Sequence, residues 1–475
     1  MSTPSPSWPI APAALEWRDG QPASTAFGDV YYSRDDGLAE TRHVFLNGNN
    51  LPARWASLKD DSDFVIVETG FGSGLNCLAA AHLWLAAAPP QARLHFVSCE
   101  KFPLRRTDLL QALAAWPELT HLATELVEAY PPLVQGFHRR WLFGGRVALT
   151  LIFDDAIQGL QDLLACDHPA APLVGMKANA WFLDGFAPAR NPDLWSPQLF
   201  ELAAKLSLPG TTVATFTVAR LVRDGLSAAG FDIAKAPGFG RKRDMLTGVL
   251  KHTPGNEPAL ADTIQAATPG LRRRATTENP WYLAPAPHKG DKSAVVVGGG
   301  IAGCATAAAL RQRGWHVTLV DRHGRLGAEA SGNPQGVLYP RLSVEDMALS
   351  ELGRQALCHA LHYYRPLWHK PGLGQRSGVL VLPESTRDRD HFPRIAERYA
   401  LADELVTLVT GKDVSARAGI ELDADMALWF ANLGWVSPTR VCRALAEGCE
   451  LIEGDVTSLK RNSADDGWLL LDATG

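Results

Sequence analysis

Apolar residues in this chain gather in short unbroken runs, and between the runs they recur every three or four positions. Phe64-Val65-Ile66-Val67, Leu94 to Cys99 and Val147 to Phe153 are runs of the first kind. Continuous runs without alternation suit strands buried on both faces, as in a parallel sheet. Strands are expected at 64–68, 94–99, 147–153, 180–184 and 211–217, with helices at 75–88, 105–115, 156–165 and 218–229. Alternating β and α elements predict an α/β fold. Ahead of them, residues 1–60 are aromatic and turn-rich, and Asp29-Val30-Tyr31-Tyr32 and His43-Val44-Phe45-Leu46 read as short strands.

The alternation stops at 251–292, where Pro254, Pro258, Pro269, Pro280, Pro285 and Pro287 stand among polar residues, the signature of a linker. A second β-α-β unit opens at Ala294, with a helix over 301–313 ending at Gly314 and a strand over His316–Asp321. A mixed α+β region follows, helical near 344–366 with strands near 378–383 and 468–472. The organisation expected is a domain over 1–250, a linker over 251–292 and a second domain over 293–475.

Composition narrows the class. With 46% hydrophobic and 20% charged residues, the chain is of the soluble globular kind. No apolar stretch reaches the roughly 18 residues of a membrane span. Met1 to Pro12 lacks the basic start and apolar core of a signal peptide. The seven cysteines (77, 99, 166, 304, 358, 442, 449) are scattered without a C-x-x-C pair, against a disulfide framework or a zinc site. The expectation is a cytoplasmic protein with no membrane, no metal and a monomeric state. A net charge of −5 gives no global sign of nucleic-acid binding, so any basic surface must be local. Arg105-Arg106, Arg139-Arg140, Arg241-Lys242-Arg243 and Arg272-Arg273-Arg274 are the candidates, each by itself readable as a solvated face.

Two glycine loops carry the chemistry. The first, Glu68-Thr69-Gly70-Phe71-Gly72-Ser73-Gly74, follows the first buried strand with E-x-G-x-G-x-G spacing, more typical of S-adenosylmethionine loops than of phosphate loops. The next strand ends in Glu100, whose carboxylate could accept both hydroxyls of a ribose diol. A third ends in Asp154-Asp155, where one side chain could meet an adenine amino group or simply cap a helix. The fourth runs into Asp184-Gly185-Phe186-Ala187-Pro188. Asp184 falls where open α/β sheets hold ligands, and a carboxylate there could orient an amine and take its proton.

The second loop, Gly298-Gly299-Gly300-Ile301-Ala302-Gly303, has G-x-G-x-x-G spacing between a strand and a helix. Asp321 ends the following strand, 18 residues after Gly303, placed to accept an adenosine ribose hydroxyl. Spacing alone does not separate NAD from FAD.

Several stretches together resemble one family. They are Tyr31-Tyr32-Ser33, Leu38 to Phe45, Glu68 to Asn76, Phe102-Pro103-Leu104, Asp184 to Pro188 and Gly238 to Arg243. The family is that of the bacterial bifunctional enzymes that complete 5-methylaminomethyl-2-thiouridine at the tRNA wobble position, and the resemblance runs along nearly the whole chain. It implies a Rossmann-like S-adenosylmethionine methyltransferase domain, then an FAD-binding Rossmann domain with a mixed α+β substrate region. Glu68, Gly70, Gly72, Gly74, Glu100 and Asp155 would hold S-adenosylmethionine, and Asp184 would be the amine-facing carboxylate. Arg241, Lys242 and Arg243 would lie near the entrance, where cations meet tRNA phosphates. Gly298, Gly300, Gly303 and Asp321 would hold FAD. So would Ser331, Gly332, Asn333, Gln335 and Gly336, in a stretch resembling the one that approaches the flavin in glycine-oxidase-like enzymes. The implied sequence is FAD-dependent removal of a carboxymethyl group from a secondary amine, then N-methylation of the primary amine left behind. Relatives of this kind continue past the Ala473-Thr474-Gly475 ending, so the second domain is expected to be truncated and its oxidation in question. Other readings stay open: a fused small-molecule N-methyltransferase and amino-acid oxidase, a methyltransferase beside a non-functional flavin half, and a module that binds tRNA without turnover.

Overall fold

The computed structural model describes residues 10–33, 36–165, 177–251, 291–339, 342–345, 347–462 and 467–473. Most of the expected linker (252–290), Arg272-Arg273-Arg274 and Cys166 lie outside the described residues. The chain divides into two compact units, Met1–Pro287 and His288–Gly475.

The first unit opens with a small antiparallel sheet of β1 (Leu15–Arg18), β2 (Gln21–Ser24) and β3 (Asp29–Val30), followed by α1 (Gly37–Thr41) and α2 (Leu51–Ala56). Then come β4 (Asp63–Glu68), α3 (Leu75–Ala87), β5 (Arg93–Glu100), α4 (Arg106–Leu113), α5 (Thr120–Ala129), β6 (Gly136–Leu142), β7 (Val147–Phe153) and α6 (Ala156–Ala165). After them lie β8 (Ala178–Phe182), α7 (Pro197–Lys205), β9 (Ser207–Thr215), α8 (Arg220–Ala228), β10 (Phe231–Pro237) and β11 (Asp244–Leu250). One eight-stranded sheet runs β10-β11-β9-β8-β4-β5-β7-β6. Strands β9, β8, β4, β5 and β7 pair in parallel, while β6, β10 and β11 pair antiparallel at the edges.

Successive residues of the central strands enter opposite cores, because side chains alternate across a sheet. Phe64, Ile66 and Phe182 pack on one face with Trp55 and Trp84, and Trp55 meets Trp84 edge-on at 5.0 Å between ring centroids. Val67, Trp181 and Leu183 pack on the other with Trp195 and Phe200. The parallel strands are apolar on both sides for that reason.

The five strands and four helices expected between 64 and 229 all form, within a few residues of their expected ends. His43-Val44-Phe45-Leu46 does not form a strand: Arg42–Asn47 is a π-helix continuing α1. The physical reason is in the burial. Val44, Phe45 and Leu46 are all buried, which three neighbours on a half-buried strand cannot be. Asp36 also starts a helix upstream, its Oδ1 accepting from Ala39 N–H at 2.9 Å. Of the other early run, only Asp29–Val30 is strand.

In the second unit, β12 (Ser293–Val297), α9 (Ile301–Gln312) and β13 (His316–Asp321) form the expected β-α-β unit. Both strands are parallel, and Glu450–Glu453 extends the sheet beyond β13. Helices Ala348–Tyr363 and Arg365–Trp368 fill the expected helical region, and Val379–Val381 and Trp468–Leu471 are strands.

Trp55→Ala removes a fully buried ring from the first core. It is expected to destabilise the first unit by about 3–5 kcal/mol with little change in urea m-value, as read by circular dichroism.

Candidate functional site

Strand β4 sits between β5 on one side and β8 on the other, so the strand order reverses there and opens a crevice at the carboxyl ends. The loop after β4 and the turn after β8 close on each other. Thr69 Oγ1 donates to the Asp184 carbonyl at 2.6 Å, and the Asp184 N–H returns a bond to Thr69 Oγ1 at 3.1 Å. A Cβ at Gly70 would stand 3.2 Å from the Asp184 carbonyl, so the two backbones touch. Gly72 and Gly74 have φ of +52° and +72°, a region that suits glycine.

A cavity of about 920 Å³ lies over this junction. Thr69 to Ser73, Asn76, Glu100, Asp155 and Asp184 are on its wall. Glu68 and Gly74 are not. Glu68 is fully buried beneath the loop, where its oxygens accept from Ser98 Oγ at 2.6 Å and Asn76 Nδ2 at 2.9 Å. Burial pushes its carboxyl well above the usual range.

Glu100 is held by the amides it borders. Its oxygens accept from Gly72 N–H and Phe102 N–H, both at 2.8 Å. Burial outweighs these bonds and lifts its pKa to about 7. Asp184 accepts from Gly185 N–H at 2.8 Å and from Asn76 Nδ2 at 2.7 Å, and burial lifts its pKa to about 6. Asp155 both caps and borders: its Oδ1 accepts from Ile157 N–H at 3.0 Å at the start of α6, and Lys101 Nζ lies 3.1 Å from Oδ2. Asp154 turns away to Gln135.

Aromatic rings form the opposite wall. Phe27 stacks on Phe186 at 4.7 Å, Tyr31 meets Phe186 edge-on at 5.3 Å, and Phe102 stands 6.0 Å from Phe27. At the mouth, Lys242 Nζ lies 2.8 Å from Glu40 and 4.3 Å from the centre of the Phe216 ring. Arg241 borders the cavity too; Arg243 does not. The donor set suits a nucleoside: amide edges and acceptors for a diol, with flat rings for a base.

In the second unit, Gly298 has φ +105° with open space beside it, and a Cβ at Gly303 would come 1.9 Å from the Gly298 carbonyl. Helix α9 therefore begins in contact with the loop. Asp321 accepts from Gly299 N–H at 2.8 Å and from His323 N–H at 2.9 Å. Ser331 Oγ accepts from Ile301 N–H at 3.0 Å, which brings the Ser331 stretch to the start of α9 beside Gly300. Gly332 bonds back to Glu329, Asn333 to Ala330, and Gly336 lies in a two-residue strand against Trp435–Val436. Gln335 is exposed. The open loop and the acid at the end of the next strand suit an adenosine diphosphate group at the helix start.

The glycine loops and strand-end acids were readable because each lies at a fixed offset from a buried strand. Phe27 and Phe216 lie outside every motif, and Phe186 and Glu40 lie inside motifs that give them no role. Phe27 lies in the turn between β2 and β3 and Glu40 on α1, both brought to the cavity only by folding. No described helix is long and apolar enough to cross a membrane, and the described residues contain no group of three or more His, Cys, Asp or Glu that could hold a metal.

Residues 117–251 match the family of S-adenosyl-L-methionine-dependent methyltransferases, and residues 293–475 match that of FAD dependent oxidoreductases. One chain thus matches a methyltransferase family and a flavin oxidoreductase family over two separate stretches. It is similar to the tRNA 5-methylaminomethyl-2-thiouridine biosynthesis bifunctional protein MnmC of Pseudomonas paraeruginosa, 44% identical over 95% of this chain and 64% of that protein. The protein of the same name from Chromobacterium violaceum is 44% identical over 92% of this chain and 61% of its own length. The chain therefore spans a little under two thirds of these curated relatives. Among solved structures, MNMC2 from Aquifex aeolicus aligns with 54% of this chain and 76% of its own, at 20% identity and a TM-score of 0.39.

Gly303→Ala forces α9 away from the Gly298 carbonyl. Amides of β12 and β13 are expected to exchange hydrogen faster in this variant, by an opening cost of about 1–3 kcal/mol, while those of β4 and β5 keep their protection.

Proposed function

We propose that the chain takes part in wobble-uridine modification of tRNA, with residues 1–250 as an amine methyltransferase, 251–292 as a linker and 293–475 as an amine oxidoreductase. The second domain would remove the carboxymethyl group of 5-carboxymethylaminomethyl-2-thiouridine. The first would methylate the resulting primary amine to 5-methylaminomethyl-2-thiouridine. Bound FAD supplies a two-electron acceptor for one step, and S-adenosylmethionine a transferable methyl group for the other. The observation that carries the reading is the half-buried Asp184 carboxylate beside the glycine loop, on the wall of a cavity of about 920 Å³. The names of the curated relatives supply the substrate class.

Glu100 would take the ribose diol of S-adenosylmethionine, with Asp155 at the adenine edge and Gly70 and Gly72 under the amino-acid part. Gly74 would act through the turn it permits and Glu68 from beneath the loop. At neutral pH, Asp184 is ionised. It would receive the substrate ammonium, turn its nitrogen toward the methyl group and accept a proton. An alkylammonium of pKa about 10 lies some 4 units above Asp184, roughly 5 kcal/mol against outright transfer. Orientation and desolvation of the amine must therefore supply part of the effect. Arg241 and Arg243 would meet tRNA phosphates at the mouth, where Lys242 is turned inward to Glu40. In the second domain, Gly298, Gly300, Gly303 and Asp321 would hold the adenosine end of FAD. Ser331, Gly332, Asn333, Gln335 and Gly336 would lie toward the flavin. A cytoplasmic monomer without metal completes the reading.

Methyl transfer from labelled S-adenosylmethionine is expected with tRNA carrying 5-aminomethyl-2-thiouridine, and with the carboxymethylaminomethyl form when FAD is added. Asp184→Asn should lower the first by roughly 10²- to 10⁴-fold. Transfer to free glycine or sarcosine but to neither tRNA would overturn the reading.

Affinity for S-adenosylmethionine is expected to weaken as pH falls through about 7, where Glu100 takes up a proton and loses acceptor capacity for the diol. Calorimetry from pH 6 to 8 checks this, and Glu100→Gln should bind weakly at every pH.

A further inference from the structure

Asn76 follows the first glycine loop on α3, and its amide is fully committed. Nδ2 donates one hydrogen to Asp184 Oδ2 at 2.7 Å and the other to Glu68 Oε1 at 2.9 Å, and Oδ1 accepts from Thr41 Oγ1 at 2.8 Å. The ionised Asp184 carboxylate requires a donor, so the amide cannot be turned over without setting its oxygen against it. Thr41, on α1, holds the other end. Asn76 thus ties three elements to one side-chain rotamer: α1, the end of β4 and the turn after β8.

The bridge matters for Asp184. Of its two oxygens, one is held by the Gly185 N–H and the other by Asn76, which leaves the remaining lone pairs to the cavity. Without Asn76 the carboxylate could rotate about its last torsion, a soft two-fold well. The buried Glu68 would then stand close to Asp184 without an intervening donor, and like carboxylates in one site favour sharing a proton. Other charged groups acting on Asp184 are Glu40 and Lys242, which pair with each other at the mouth and act in opposite directions.

We propose that Asn76 is the positioning residue of the methyl-transfer site, aiming the Asp184 carboxylate at the acceptor amine and keeping it ionised beside the buried Glu68. This rests on the amine-methyltransferase reading above. Asn76 borders the cavity, but its amide is taken up by Thr41, Glu68 and Asp184, so it acts through Asp184.

The test is the pH profile of methyl transfer to tRNA carrying 5-aminomethyl-2-thiouridine in the full chain, for wild type, Asn76→Leu, Thr41→Val and Ser98→Ala. Wild type should lose activity as pH falls through about 6, as Asp184 protonates. Asn76 donates to the charged form, so removing it raises the Asp184 pKa and moves the acid limb to higher pH, by about one unit. Asn76→Leu should also lower kcat by on the order of 10²-fold with little change in KM for S-adenosylmethionine. Thr41→Val leaves both carboxylates their donors and frees only the far end of Asn76, so it should move the limb the same way by less and fold if Asn76→Leu does not. Ser98→Ala strips a donor from Glu68 but none from Asp184; it should lower the melting temperature and leave the limb in place. An active wild type whose limb stays put in both Asn76→Leu and Thr41→Val, or moves equally in Ser98→Ala, overturns the positioning role while sparing the methyltransferase reading. A wild type that transfers no methyl group overturns both.

Discussion

The tie between the end of β4 and the end of β8 is the constraint on which the first unit's chemistry rests. It consists of two opposed bonds between Thr69 and the Asp184 backbone, a glycine at position 70 that lets the backbones touch, and the Asn76 bridge between side chains. Parallel strands on either side of a reversal leave a gap at their carboxyl ends, because their connections leave in opposite directions. Here that gap is narrowed to one seam, and the seam sets the distance between a nucleoside-sized cavity and a carboxylate.

Burial gives the seam its electrostatic character. Glu68, Glu100 and Asp184 all have pKa values raised, with desolvation as the largest cause in each. Three acids in one low-dielectric region repel one another, and the fold answers with donors: Ser98 and Asn76 on Glu68, the amides of Gly72 and Phe102 on Glu100, and Gly185 and Asn76 on Asp184. A buried carboxylate with its donors in place is tolerated; one stripped of them is costly. The glycine loop therefore has two tasks: it leaves room for a ligand, and through Gly72 it supplies one of the two amides that hold Glu100.

The second unit has a looser relation between sequence and setting. Its β-α-β unit is formed by the close contact of Gly303 with the Gly298 carbonyl and by Asp321 capping the loop from the next strand. Val295 and Val297 of β12 are about half exposed, unlike β7 of the first sheet, which is buried along its whole length. Runs that read alike along the chain are thus covered to different extents in the two units.

What the chain by itself determined was every feature set by nearest neighbours: buried strands, the helices between them, glycine loops at strand ends, and acids such as Glu100, Asp184 and Asp321 a fixed offset beyond. Periodicity carries that information because strand and helix geometry repeat locally. It could not separate strand from helix over Val44-Phe45-Leu46, where a short apolar run fits either and packing against the sheet made it a π-helix. Nor could it foresee that Asn76 would bridge Glu68 and Asp184, that Phe27 would stack on Phe186, or that Lys242 would turn in to Glu40. Those pairs are joined across as many as 202 positions of chain. Only the closing of the sheet brings them within a few ångströms, so only the tertiary structure decided them.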